Sequence, residues 1–120
     1  MKTIMGAFLL SAVLAVPASA VDFGGKYKID GTNFNGSKYS GIATITITSD
    51  TTCSIEWATG GDTNTQGICM RNDDAFAADY VMGKDIGLII YKVAPDGSMK
   101  GLWTIAGNSG VGIETLTPVK

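Results

Sequence analysis

The chain has 120 residues, 9 basic and 11 acidic, with no histidine and two cysteines. That length makes one small domain, and a near-balanced charge without a basic patch argues against nucleic acid as a partner. The absence of imidazole removes Ser-His and Cys-His catalysis and histidine–metal ligation.

In chain order, Met1-Lys2-Thr3 is followed by an apolar run over residues 4–16 and then by Pro17-Ala18-Ser19-Ala20. A charged start, a short apolar stretch and a small-x-small site read as a cleavable secretory signal, cut after Ala20. The run is too short to span a bilayer. No Cys sits at or just after the cut, so no lipid anchor is expected. Residues 21–120 then form a single β domain, secreted or periplasmic, with 8 basic and 11 acidic residues.

Thr, Ile, Val, Tyr and Gly dominate that domain, and no segment shows helical spacing, which is strand-and-turn composition. Residues 23–29 place Phe23, Tyr27 and Ile29 on one face. Residues 39–49 alternate strictly, with Ala43, Ile45 and Ile47 against Thr44, Thr46 and Thr48. Residues 53–59 align Cys53, Ile55 and Trp57. Residues 67–71 return after a glycine turn, and residues 76–82 align Phe76, Ala78, Tyr80 and Met82. Residues 86–93 are apolar on both faces, which predicts the most deeply covered strand. Residues 99–106 carry Trp103 and Ile105, and residues 111–117 end the pattern.

Turn chemistry separates these segments at Asn35-Gly36-Ser37, Asn72-Asp73-Asp74, Gly83-Lys84-Asp85, Pro95-Asp96-Gly97 and Asn108-Ser109-Gly110. Asn35-Gly36-Ser37 also matches a glycosylation sequon, and reads better as a hairpin turn. A hairpin folded about Gly60-Gly61-Asp62 sets Cys53 opposite Cys69, and an exported chain with two cysteines is expected to bridge them.

About eight short strands with short links form an antiparallel meander. Closure would remove its two exposed edges. The expected fold is all-β, a small up-and-down barrel of lipocalin- or avidin-like outline, with a two-sheet sandwich as second choice. The strands read as shorter than a membrane barrel requires, so no membrane insertion is expected.

Without histidine, and with both cysteines bridged, carboxylates are the only general acid/base candidates. Glu56 and Glu114 are placed on strand faces opposite the apolar sets, and most aspartates lie at turns. No enzyme activity, cofactor or metal is expected. Asn72, Asp73 and Asp74 form a loop far shorter than an EF-hand. Trp57, Trp103, Tyr27 and Tyr80 are the candidate walls of a ligand pocket, with core filling as the competing role. Thr44, Thr46 and Thr48 form a hydroxyl-rich face beside which an edge strand could accept a partner strand.

The run 31–41, Gly-Thr-Asn-Phe-Asn-Gly-Ser-Lys-Tyr-Ser-Gly, resembles the opening of a family of small exported alphaproteobacterial proteins. Cys53-Ser54-Ile55-Glu56-Trp57, Gly67-Ile68-Cys69-Met70-Arg71, Gly87-Leu88-Ile89-Ile90-Tyr91 and the ending over residues 112–118 continue the resemblance. Members often carry the label "fibronectin-binding protein". The resemblance implies export and an adhesin-like partner, and designates no binding residue. Phe34 departs from the Pro expected there.

Three readings follow. The first is an exported, non-enzymatic binding protein for a host matrix protein such as fibronectin. The second is a carrier of a small apolar ligand inside the barrel, which a core filled by Trp57, Trp103, Ile45 and Leu88 would exclude. The third is a periplasmic protease inhibitor that inserts a free Val21-Asp22-Phe23 segment into its target.

Overall fold

The computed structural model describes residues 23–61 and 64–120. The signal-like segment, Val21, Asp22 and Asp62 lie outside the described residues. Eight strands follow one another: β1 (Gly25–Thr32), β2 (Lys38–Ile47), β3 (Thr52–Ala58), β4 (Asn64–Asn72), β5 (Ala75–Met82), β6 (Asp85–Val93), β7 (Met99–Ile105) and β8 (Gly112–Pro118). Each pairs antiparallel with the next, and β8 returns to β1, closing an up-and-down barrel. Closure leaves the described sheet without a free edge, so strand addition beside Thr44 and Thr46 has no site. Among the described residues no helix is long and apolar enough to cross a membrane.

Period-2 alternation does the sorting. Tyr27 and Ile29, Ala43 and Ile45, Cys53, Ile55 and Trp57, and Phe76, Ala78 and Tyr80 are all buried, as their spacing predicts, whereas Ile47 and Met82, at the ends of their strands, are exposed. The turns also behave as their residues require. Gly36, Gly61 and Gly97 take positive φ, and so does Asp73, whose carbonyl accepts the Arg71 Nε–H at 2.8 Å.

Cys53 pairs with Cys69 across the β3–β4 ladder, and the two are joined by a disulfide with Cα atoms 5.0 Å apart. Such a bridge persists in oxidising compartments and is compatible with export. One strand further, the β4–β5 ladder is interrupted. Gly67 approaches the Asp79 carbonyl too closely to carry a Cβ, and the Asp79 carboxylate accepts the Ile68 N–H at 3.0 Å.

Two expectations fail at β6 and at the N-terminus. β6 is not the most covered strand: Ile86, Leu88 and Ile90 are exposed, while Gly87, Ile89 and Tyr91 face inward. A barrel wall has one inside, so a strand with apolar residues in both parities must present one set outward. Leu88 therefore fills no part of the core. Ile68 and Met70 on β4, Val81 on β5, Leu102 on β7 and Ile113 on β8 are exposed as well. Cross-strand pairs Ala77–Ile90, Ile90–Leu102 and Leu102–Ile113 make this apolar band continuous.

The inhibitor reading needs a free Phe23. Its ring is buried, packed edge-on against Phe76 at 5.5 Å, and its carbonyl accepts the Tyr27 hydroxyl at 2.7 Å. The Arg71 guanidinium lies 5.5 Å from the same ring. Phe23 plugs one end of the barrel and cannot enter another protein.

Strand length is also no distinction from membrane barrels, since β2 reaches 10 residues and β4 and β6 reach 9. The outer wall is distinctive. Membrane barrels carry an apolar band all round, whereas here Lys26, Lys28 and Asp30 face outward from β1 and Glu56 from β3.

The disulfide closes a loop with a sequence separation of 16. Replacing both Cys53 and Cys69 by Ser should lower the unfolding free energy by about 3 kcal/mol, the chain-entropy value for such a loop. Urea denaturation of the two proteins measures the difference.

Candidate functional site

The end of the barrel opposite Phe23 is open. It is bordered by the β1–β2, β3–β4, β5–β6 and β7–β8 links and leads into a cavity of about 290 Å³. Trp57, Tyr80 and Trp103 line it, as the sequence suggested, together with Asn33, Tyr39, Thr59, Thr65, Met82, Ile89 and Glu114. Tyr27 does not line it. Its hydroxyl is engaged at the Phe23 plug, so it belongs to the closed end.

Glycines create the space for the rings. Gly31 pairs with Tyr39, Gly87 with Tyr80, Gly101 with Tyr91 and Gly112 with Trp103. A Cβ on Gly31 would sit 2.0 Å from the Tyr39 ring, and one on Gly112 would sit 2.0 Å from the Trp103 ring. Each aromatic ring thus lies flat across the neighbouring strand where no side chain stands.

Glu114 is the residue that sequence spacing misplaced. It faces inward with Gly112 and Leu116, and is 4% exposed. Its strand neighbours in register are Gly31 on β1 and Gly101 on β7. Both leave room for the tyrosines that reach its carboxylate. Tyr39 donates to Oε1 at 2.8 Å. The Tyr91 hydroxyl donates to Oε2, and Trp57 Nε1 donates to the same oxygen at 3.0 Å. The Trp57 N–H also reaches the Tyr91 hydroxyl at 3.2 Å. Three donors from three strands therefore satisfy a buried carboxylate, which is what makes its burial tolerable. A signal was available: Glu114 shares parity with Leu116, and glycines occupy positions 31 and 101. Only the closure register shows that they flank it.

Burial raises the Glu114 pKa above the ordinary 4.5, and the three donors oppose that rise. Desolvation, with the Glu114 charge beside it, pushes Tyr80 up to about 12. Tyr39 and Tyr91 are raised for the same two reasons in the same order. All three phenols therefore stay protonated donors at neutral pH.

The mouth has a second aromatic layer. Phe34, in the β1–β2 turn, stacks on Trp103 with ring centroids 4.6 Å apart. Trp57 and Tyr80 meet edge to face at 5.5 Å, and Tyr39 and Trp103 at 6.3 Å. Trp103 Nε1 is buried without a hydrogen-bond partner. It lies close enough to the Tyr39 hydroxyl to favour its phenolate, but outside hydrogen-bonding geometry.

Glu56 and Glu114 do not form a carboxylate pair. Glu56 lies on the outer wall between the inward-facing Ile55 and Trp57, and Glu114 points into the cavity. Asn72-Asp73-Asp74 remains a turn, and among the described residues no group of three or more His, Cys, Asp or Glu could hold a metal ion.

The closed antiparallel meander places the chain among up-and-down β-barrels. No protein-family model matches it, and no curated protein matches it in sequence. Among solved structures it resembles a redesigned β-barrel, with a TM-score of 0.71 and 18% identity over 85% of this chain and 96% of that one. It also resembles a de novo designed fluorescence-activating β-barrel, with a TM-score of 0.67 and 13% identity over 88% of this chain and all of that one. At such identities the likeness shows the fold alone.

The raised Glu114 pKa carries a pH dependence. Its folded value lies above its unfolded value, so the folded protein takes up this proton first as pH falls. Stability should therefore increase as pH drops from neutral through the raised value, be complete below about 4.5, and be lost again as pH rises. Urea midpoints at pH 7 and pH 5 check this, and Glu114→Gln should remove that component of the slope.

Proposed function

We propose that the protein binds a small, ring-containing organic ligand at the open end of the barrel. The observation that carries this reading is the cavity itself. It is a concave, largely aromatic space with a few converging polar groups, which is the usual make-up of small-molecule sites. Of the three readings from sequence, this is the carrier. The filled-core alternative requires Trp57, Trp103, Ile45 and Leu88 to occupy the interior together. Leu88 points outward and Trp103 stands, partly covered, at the mouth. The cavity sits at the small end of ligand sites, so the ligand is about the size of one or two fused rings.

Titration with the neutral two-ring fluorophore 1-naphthylamine tests the reading. Saturable fluorescence enhancement with one site per chain is expected, and Thr65→Tyr, which puts a ring into the cavity, should abolish it. No saturable binding at micromolar protein, either of this neutral probe or of a cationic probe of similar size, would remove the proposal.

A protein partner is the second reading, and the exposed apolar band across β4–β8 favours it. Fibronectin, implied by the family resemblance, is the partner to test. Isolated apolar residues are normal on a surface, but a continuous band marks a contact surface. Immobilised fibronectin should retain the protein saturably, and Ile90→Lys with Leu102→Lys should abolish retention while leaving circular dichroism unchanged. Absence of saturable retention of the unmodified protein would dispose of this reading.

A further inference from the structure

The charge inside the cavity narrows the ligand class. Glu114 is buried at the cavity wall. Its hydrogen-bond donors, Tyr39, Tyr91 and Trp57, are all neutral. Among the described residues the ion pairs are Lys28–Asp30 and Lys92–Asp74, both exposed on the outer wall, and no Lys or Arg lines the cavity. The carboxylate is therefore hydrogen-bonded but its charge is not neutralised by a protein cation. A carboxylate offers about four acceptor positions, and three are taken, two of them on Oε2.

Around this charge stand aromatic faces. One edge-to-face pair comes from β3 and β5, and another from β2 and β7. Ring faces carry negative potential and attract cations, most strongly when the cation is poorly hydrated. An anionic ligand would meet a buried negative charge with no opposing group. A neutral ligand would cover Glu114 and leave its charge uncompensated in a drier site. A cation answers both the carboxylate and the rings.

Resting on the small-ligand reading above, we infer that the cavity selects a small alkylated ammonium ion, with its cationic head against Glu114 and among Trp57, Tyr39, Tyr80 and Trp103. Alkylation matters because a primary ammonium needs several acceptors for its N–H groups, and this wall has few free. A quaternary head needs none and is less strongly hydrated. Asn33, Thr59 and Thr65 at the rim are left to orient the rest of the molecule.

Benzyltrimethylammonium and neopentylbenzene have the same shape and differ by one charge. Titrated separately into the unmodified full chain and followed by tryptophan fluorescence, the cation should bind at least tenfold more tightly. In Glu114→Gln the two affinities should converge, mainly through loss of cation binding, with a smaller gain for the neutral compound because it no longer covers an uncompensated charge. Equal affinities in the unmodified protein would overturn the inference while leaving the small-ligand reading intact. A preference that survives Glu114→Gln would overturn the role of Glu114. Binding of neither compound, nor of the naphthylamine fluorophore, would overturn the small-ligand reading and this inference with it. The ratio in the unmodified protein decides the selectivity even if Glu114→Gln fails to fold.

Discussion

The interior of this barrel depends on glycine standing opposite an aromatic ring. Four such cross-strand pairs recur, Gly31–Tyr39, Gly87–Tyr80, Gly101–Tyr91 and Gly112–Trp103. An eight-stranded barrel has an interior just wide enough for side chains to fill. Four large rings fit only where the facing strand contributes no side chain. Two of these glycines, Gly31 and Gly101, flank Glu114, and the rings that cover them are those whose hydroxyls bind its carboxylate. Packing and polar satisfaction are thus one arrangement. Enlarging either glycine would displace a tyrosine and leave Glu114 short of a donor.

That arrangement divides the barrel along its axis. At the closed end Phe23, Phe76 and Leu116 belong to the buried apolar core, and the Tyr27 hydroxyl bonds the Phe23 carbonyl. At the open end the side chains become larger, more polar and less completely covered, and Phe34 leans over the rim onto Trp103. The half that would receive a ligand has given up close packing for a cavity, the usual relation between a rigid scaffold and the site it carries.

Much of this was legible beforehand. Strand order, the turns at Gly36 and Gly97, and the Cys53–Cys69 pair follow from local rules of alternation and turn chemistry. Trp57, Tyr80 and Trp103 could be named as wall candidates because few other aromatics were left to choose. Residue type alone groups Tyr27 with them, and residue type does not say which end of a barrel a side chain occupies.

The sequence by itself determined the class: an all-β meander with a bridged central hairpin. Period-2 spacing and glycine turns are short-range constraints that a few neighbouring residues express completely. Only the tertiary structure decided which parity of β6 and β8 faces inward. β6 has apolar residues in both parities, and β8 alternates Ile113 with Glu114, so by apolar preference the acid belongs outside. Closure between β8 and β1 fixes the register, and that register turns Glu114 inward to three donors carried by β2, β3 and β6. A strand cannot specify its own inside, because inside is a property of the ring of neighbours that closes around it.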